Sequence, residues 1–242
     1  MMKRFLLCCL LVGGLWIAQA ATYVVSVGIA DYQNIKDLRF PEKDAVAMAN
    51  VYKTHTQNVV TITGRNATRA NILRSLNNQF GKASSGDMVV FFFSGHGFEG
   101  GFCPYDTRGN SNLLSYNDIY AVFRNCKASR KVVIADACMA GGMRREKKNS
   151  HGTPSKSSNV ILFLSSRTDE YSFEKPNMTN GLFTTYVSMG LRGKADVNRD
   201  RIVTAKELFD YVSREVKRAS NNQQHPVMWG HFDDNFVMMN WR

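Results

Sequence analysis

The sequence predicts a three-layer α/β/α sandwich with a mostly parallel central sheet of about six strands. Short runs of β-branched and aromatic residues alternate along the chain with stretches of helical period. The two most apolar runs, Val89–Phe93 and Val132–Ile134, need cover on both faces, as strands in the centre of a parallel sheet do. The composition, 44% apolar and 21% charged, is ordinary for a globular domain and excludes a disordered linker or a collagen-like chain.

Six short runs are predicted strands, and four amphipathic stretches are predicted helices. The strands are Tyr23–Ile29, Val59–Ile62, Met88–Phe93, Lys131–Ala135, Val160–Leu164 and Asn235–Trp241. The helical stripes are Ala45–Tyr52, Ile72–Phe80, Leu182–Val187 and Leu208–Val216. Thr68 is the predicted N-cap of the second helix, because a threonine hydroxyl can accept a hydrogen bond from a free backbone N–H of the first turn.

The first 20 residues have the pattern of a signal peptide. Two basic residues precede the apolar run Phe5–Ile17, and Ala20 ends a small-x-small pattern that a signal peptidase accepts before Ala21. The 13 residues of the run are too few to cross a bilayer as a helix, which needs about 20. We therefore predict a signal peptide at 1–20 and one exported domain at 21–242, secreted or periplasmic, with no stable membrane insertion once the signal is removed.

Candidate catalytic groups follow the two most apolar strands. One strand continues into Ser94-Gly95-His96-Gly97 and the other into Asp136-Ala137-Cys138. Ligands of open α/β sheets bind beyond the carboxyl ends of the strands, and neighbouring strands lie about 4.8 Å apart. If the two strands are neighbours, the imidazole of His96 and the thiol of Cys138 face one cleft, where a thiolate can attack and a histidine can protonate the leaving group. No further His or Cys stands at ligand spacing beside either residue, which disfavours a zinc site.

The sequence around these two residues resembles the catalytic pair of caspase-like cysteine peptidases (clan CD, family C14), and among them the metacaspase and paracaspase branch. The likeness extends from about Tyr23 to Trp241. It implies that Cys138 attacks the peptide carbonyl while His96 transfers the proton. It also implies that the backbone amides of Gly97 and Cys138 form the oxyanion hole.

The resemblance further implies an acidic substrate-binding pocket. The metacaspase pattern matches Asp44, Ser94 and Asp136, and metacaspases cleave after arginine or lysine. Asp136 stands two residues before Cys138, so the two side chains point to the same side of the strand. Pro41 departs from the family pattern, because metacaspases often carry a cysteine at this position. The resemblance therefore covers the acidic residues of the pocket but does not extend to its wall.

A basic, polar stretch from Met143 to Ser158 interrupts the alternating pattern and is predicted to be an exposed loop. It separates a large-subunit-like part, 21–142, from a small-subunit-like part, 159–242, and we interpret 143–158 as a processing loop. The candidate self-cleavage positions are its basic residues Arg144, Arg145, Lys147 and Lys148.

The stretch Asp196–Glu207 resembles an EF-hand calcium loop, but its sixth position is Arg201, where such a loop requires glycine. Thr204 and Glu207 equally form a capping box that begins a helix, and we favour this structural interpretation. We therefore predict no cofactor and no resident metal. The residues of the stretch do not support dependence on calcium.

Three cysteines remain after removal of the signal peptide, Cys103, Cys126 and Cys138, so at least one has no partner within the chain. Whether Cys103 and Cys126 form a disulfide is not decided by the sequence, because the bond requires their Cα atoms to lie within about 7 Å of each other.

The positive charge leaves a second class of function open. Removal of the signal peptide lowers the formal net charge from +11 to +9, which suits a catalytically silent caspase-fold protein that binds anionic partners. Nucleic acid is not expected, because no aromatic residue stands among the basic residues of 144–158. We favour a monomeric cysteine endopeptidase that acts on peptides or proteins with Arg or Lys before the cleaved bond. Other thiol chemistry is the remaining alternative.

Overall fold

The computed structural model of the protein describes residues 20–109, 111–137, 160–166, 178–230 and 233–242. The strands are β1 (Thr22–Gly28), β2 (Val59–Thr63), β3 (Met88–Gly95), β4 (Gly97–Phe98), β5 (Gly101–Phe102), β6 (Leu114–Ser115), β7 (Arg130–Ala137), β8 (Val160–Leu164), β9 (Ile202–Thr204), β10 (Val227–Trp229) and β11 (Val237–Asn240). The helices are α1 (Pro41–Lys53), α2 (Arg69–Phe80), α3 (Tyr116–Asn125), α4 (Leu182–Met189) and α5 (Ala205–Ala219).

Within these residues, six strands form a central sheet in the order β10-β8-β7-β3-β1-β2. All neighbours are parallel except β10, which runs antiparallel to β8 at one edge. Helices α1, α4 and α5 pack on one face, and α2 and α3 pack on the other. The predicted three-layer sandwich with a mostly parallel sheet of about six strands is confirmed.

Strand β3 illustrates why the sheet needs helices on both sides. Its eight residues are all buried. Val89 and Phe91 belong to the core beneath α2 and α3, whereas Val90 and Phe92 belong to the core beneath α1, α4 and α5. Side chains of a strand alternate between its faces, and each large apolar side chain contributes about 1.5–3 kcal/mol when fully buried. A strand of this composition is therefore stable only in the middle of a covered sheet.

Side-chain caps mark where helices α2 and α3 begin. The Thr68 hydroxyl accepts a hydrogen bond from the backbone N–H of Asn71, as predicted for the start of α2. Helix α3 was not expected from the sequence; it begins at a capping box in which Ser115 and Asp118 each bind the other's backbone N–H. Its first turn is fixed further by an ion pair of 2.8 Å between Asp118 and Arg69.

The C-terminal strands differ from the prediction. The expected last strand forms as β11, but it pairs with β9 in a separate two-stranded sheet. Met238 and Met239 are buried in the core beneath α1, α4 and α5, so the apolar pattern reflects packing in that layer, outside the central sheet. The sixth strand of the central sheet is β10, which is too short, at three residues, to produce a recognisable period.

The acidic stretch before α5 is built as a turn and a helix cap. Asp196 accepts hydrogen bonds from the backbone N–H groups of Asp200 (3.2 Å) and Arg201 (2.9 Å). Arg201 has a φ of 67°, the left-handed conformation that favours glycine. The Glu207 carboxylate binds the backbone N–H of Thr204 while the Thr204 hydroxyl accepts from the N–H of Glu207. The predicted capping box is therefore present. Among the described residues no cluster of three His, Cys, Asp or Glu side chains has the arrangement of a metal site.

Cys103 and Cys126 are both buried, and no disulfide joins them. The Cys126 thiol instead donates to the carbonyl oxygen of Phe80. In the described part of the chain, no helix combines the length and the apolar character needed to cross a bilayer.

Candidate active site

The two strands with candidate catalytic residues at their ends are neighbours in the centre of the sheet. The register pairs Ser94 of β3 with Asp136 of β7, and Gly95 with Ala137. His96 follows directly after β3. Cys138 comes next in the sequence after Ala137 but lies outside the described residues. The condition that the two strands are neighbours is therefore met as far as Ala137.

His96 is held by the loop that connects β1 to α1. Its Nε2 lies 2.8 Å from the carbonyl oxygen of Lys36, and its backbone N–H donates to the Tyr32 hydroxyl at 2.8 Å. The rings of Tyr32 and His96 also lie against each other, with centroids 5.1 Å apart. Because a carbonyl oxygen only accepts hydrogen bonds, Nε2 must carry the proton, and in the neutral ring the lone pair is on Nδ1.

Gly95 makes this arrangement of His96 sterically possible. Its φ is 157°, and a Cβ atom at this position would lie 2.5 Å from the Tyr32 hydroxyl. Any larger residue would displace Tyr32 from the backbone of His96. Neither Tyr32 nor Lys36 was expected at the site, since a tyrosine hydroxyl and a backbone carbonyl in a loop leave no distinctive pattern in a sequence.

Gly97, the predicted oxyanion donor, begins the short strand β4. Strand β4 pairs with β5 in a separate small sheet, where Gly97 lies opposite Phe102. The carbonyl of His96 accepts a hydrogen bond of 2.9 Å from the backbone N–H of Cys103. These contacts fix the chain immediately after His96. The other predicted donor, the amide of Cys138, lies outside the described residues.

Asp44 and Ser94 meet beneath the carboxyl end of the sheet. The Ser94 hydroxyl donates to Oδ2 of Asp44 at 2.9 Å. Oδ1 of Asp44 accepts from the side-chain amide of Asn180 and from the backbone N–H of Gly181, both at 2.9 Å. The Asp44 side chain belongs to α1, yet it is only 1% exposed. Burial of a charged group at this depth requires such donors.

Asp136 is the second buried carboxyl group of the site, at 6% exposure. Its Oδ2 accepts hydrogen bonds from the backbone N–H (3.2 Å) and the hydroxyl (2.8 Å) of Thr184, in the first turn of α4. Gly181 separates the two carboxylates: a Cβ atom there would lie 2.6 Å from Oδ2 of Asp136 and 3.1 Å from Oδ2 of Asp44. The structure thus brings Asp44, Ser94 and Asp136 together.

The closeness of the two carboxylates changes their chemistry. Burial, followed by the charge of Asp136, raises the pKa of Asp44 from 3.8 to about 7, although the hydrogen bonds from Asn180, Gly181 and Ser94 act in the opposite direction. A buried pair of like charges favours either a proton on one group or a cation bound between them. The two carboxylates therefore form a buried negative centre whose charge a proton or a cation would offset.

The hydrogen-bond donors just before α4 and in its first turn were missed in the sequence. Asn180, Gly181 and Thr184 contact Asp44 or Asp136, which are more than 40 residues away along the chain. An Asn-Gly pair in a sequence marks a turn, but which carboxylates it contacts depends on the packing of α4 against α1.

Some expected features lie elsewhere or outside the described residues. The processing loop 143–158 and its candidate cleavage positions Arg144, Arg145, Lys147 and Lys148 are not among the described residues. A cleft of about 550 Å³ opens at the opposite end of the sheet, where it is lined by residues including Ala21, Tyr52 and His55. It shares no residue with the site around His96.

The sheet order, the histidine after β3 and the buried carboxylates beside it define a caspase-type α/β protein. A sequence profile of the caspase domain, from the peptidase C14 group, matches residues 22–237, and the chain belongs to this family. This membership indicates a hydrolase of the caspase type, whose substrates are peptides or proteins. No curated protein sequence matches the chain at a significant level.

A solved structure supports the fold independently. The crystal structure of protein GSU0716 from Geobacter sulfurreducens is similar with a TM-score of 0.67, covering 91% of this chain and 98% of that one. The sequence identity is 17%, so the likeness concerns the fold alone.

Proposed function

We propose that the protein is an exported cysteine endopeptidase that uses Cys138 and His96 to cleave peptide bonds after arginine or lysine. The observation that carries this proposal is the buried pair Asp44 and Asp136 beside the strand end that leads to His96. A protein that only binds anionic partners has no need of two buried carboxylates at this place.

The contacts of His96 suggest how the reaction proceeds. The Lys36 carbonyl keeps the proton on Nε2, so Nδ1 accepts the proton of the Cys138 thiol. The thiolate attacks the carbonyl carbon of the substrate, and the resulting oxyanion accepts hydrogen bonds from the amides of Gly97 and Cys138. His96 then gives the proton to the leaving amine. Water, deprotonated by the same ring, hydrolyses the thioester and restores the thiol.

Charge explains the proposed preference for a basic residue before the cleaved bond. A guanidinium offers five N–H donors, and an ammonium three, to the oxygens of Asp44 and Asp136. An aspartate in the same place would be a third buried negative charge. The cation also stabilises the ionised form of Asp44, whose pKa burial raises to about 7.

We also propose self-cleavage after a basic residue of 143–158. The loop begins five residues after Cys138 and carries the side chains that the acidic pair would accept. Cleavage there leaves both proposed catalytic residues in the larger fragment.

Thiol labelling combined with hydrolysis tests the central proposal. A peptidyl chloromethyl ketone ending in arginine should modify Cys138 in preference to Cys103 and Cys126, since the latter two are buried. Cys138→Ala should abolish hydrolysis of arginyl and lysyl peptides, whereas Cys126→Ala should retain it. Full turnover in Cys138→Ala would refute the mechanism. A fully folded wild type that neither labels nor hydrolyses would favour the catalytically silent binding protein.

A further inference from the structure

Two hydrogen bonds hold Ala21, the residue before β1, against the start of β3. The backbone N–H of Ala21 donates to Oδ1 of Asp87 at 2.8 Å. The carbonyl oxygen of Ala21 accepts from the backbone N–H of Met88 at 2.9 Å. Ala20 is exposed and lies before the first strand, which begins at Thr22. Ala21 is therefore bound at both its backbone N–H and its carbonyl oxygen.

Asp87 is a buried hydrogen-bond acceptor whose two carboxylate oxygens both bind backbone N–H groups. It is only 9% exposed, and its second oxygen, Oδ2, accepts from the backbone N–H of Ser84 at 2.7 Å. The neighbouring cation is Arg130 on β7: burial lowers the pKa of Arg130, and the charge of Asp87 opposes this effect. A carboxylate with two amide donors and little solvent gains strongly from a positive charge placed at one of its oxygens.

We infer that Asp87 is the binding site for the new N-terminus that signal removal creates at Ala21. In that step a signal peptidase adds water across the Ala20–Ala21 peptide bond. Ala20 keeps the new carboxylate, and the nitrogen of Ala21 becomes an α-ammonium group. The nitrogen already lies 2.8 Å from Asp87, so processing converts a neutral hydrogen bond into an ion pair without movement of β1.

This ion pair gives signal removal a structural effect far from the catalytic residues. Ala21 and Asp87 lie where β1 and β3 begin, and His96 lies where β3 ends. Processing should therefore stabilise the domain while leaving the site around His96 unchanged. Charge-assisted hydrogen bonds are about twice as strong as neutral ones, and the difference appears as a shift in melting temperature.

Two N-terminal forms and two residues at position 87 provide the test, all in the Cys138→Ala background so that self-cleavage does not interfere. One form begins at Ala21 with a free amine; the other begins at Gln19, which restores a neutral amide at Ala21. We expect the form that begins at Ala21 to melt about 2–4 °C higher, and Asp87→Asn to remove this difference. Equal melting temperatures, or a difference that persists in Asp87→Asn, would overturn the inference.

Two further measurements test the inference even if the Asp87→Asn variant folds poorly. Selective acetylation of the Ala21 amine should lower the melting temperature to that of the Gln19 form, and no change on acetylation would overturn the ion pair. The mass of the protein exported from a host with a signal peptidase should correspond to a chain that begins at Ala21. Any other N-terminus would contradict the assigned site, independently of whether the protein hydrolyses peptides.

Discussion

At the scale of single residues, the hydroxyl of Tyr32 holds the backbone of His96. It accepts the backbone N–H of His96 at 2.8 Å, while Lys36 orients the ring through Nε2. In the proposed mechanism Tyr32 is a positioning residue, because its hydrogen bond fixes the backbone from which the imidazole of His96 extends. Small changes in the position of a catalytic group lower the rate more than they lower substrate affinity.

We predict that Tyr32→Phe lowers kcat about 3- to 10-fold, the equivalent of one hydrogen bond, with little change in KM or melting temperature. The phenyl ring keeps the contact with His96, so only the hydroxyl is lost. Tyr52→Phe is a matched control, because the Tyr52 hydroxyl is buried without a hydrogen-bond partner. Steady-state kinetics with an arginyl peptide measure both variants. A change in KM alone would show that Tyr32 serves substrate binding.

The second prediction at this scale concerns pH. Burial raises the pKa of Asp44 from 3.8 to about 7, with Asp136 adding to the effect, so below pH 7 a bound cation must displace a proton. Binding of benzamidine to Cys138→Ala should therefore strengthen up to about tenfold per pH unit as the pH rises towards 7, and level off above it. Calorimetry between pH 5 and 9 measures this without any contribution from the thiol.

Asp44→Asn is the control for the pH prediction, since it keeps a hydrogen-bonding side chain of the same size beside Ser94, Asn180 and Gly181. Its affinity for benzamidine should be weaker and should not follow the same pH curve. An unaltered pH curve of binding in Asp44→Asn would assign the titration to another group.

The raised pKa of Asp44 also affects the stability of the fold. Between pH 3.8 and about 7 the folded state binds a proton that the unfolded state has released. The contribution of Asp44 to stability is thus lost as the pH rises through this range.

At the scale of elements, the N-terminal end of α4 completes the carboxylate pair. Gly181 has φ −55°, which any residue adopts, so its requirement is purely steric. We predict that Gly181→Ala raises KM for arginyl peptides more than tenfold, because a Cβ atom 2.6 Å from Oδ2 of Asp136 forces the carboxylates apart. Gly86→Ala is the matched control, because its added Cβ meets nothing within 4 Å. Wild-type KM in Gly181→Ala would show that a cation does not bind between the carboxylates.

The elements also show how far sequence reasoning reaches. Strands β3 and β7 were predictable because burial on both faces leaves an uninterrupted apolar run in each, Val89–Phe93 and Val132–Ile134. Helix α3 was missed although Ser115 and Asp118 form a regular capping box. Strand β10 was not predictable, because three half-buried residues at a sheet edge carry no period.

The same contrast holds for the site. His96 and Asp136 follow from strand ends and from resemblance to a family. The donors Asn180 and Thr184 do not, because their role arises only when α4 packs against α1. Tertiary contacts between distant segments decide which ordinary polar residues become part of the site.

At the scale of the whole molecule, the central sheet joins the two parts of the chain on either side of the proposed processing loop. β7 precedes the loop and β8 follows it, and they pair in parallel from Lys131–Val160 to Ala135–Leu164. Both strands are almost entirely buried. A break within 143–158 would interrupt the covalent chain but none of these pairs.

We therefore predict that the wild type, but not Cys138→Ala, is nicked after Arg144, Arg145, Lys147 or Lys148, and that the fragments stay together. Intact and denaturing mass spectrometry locate the bond, and gel filtration without denaturant should give a single peak. Adding catalytic amounts of wild type to Cys138→Ala distinguishes the route, because nicking of the variant would show cleavage between molecules. Nicking in both proteins when purified separately would point to a contaminating protease. Nicking in neither would remove self-cleavage from the proposal and leave hydrolysis of other peptides to be judged by its own experiment.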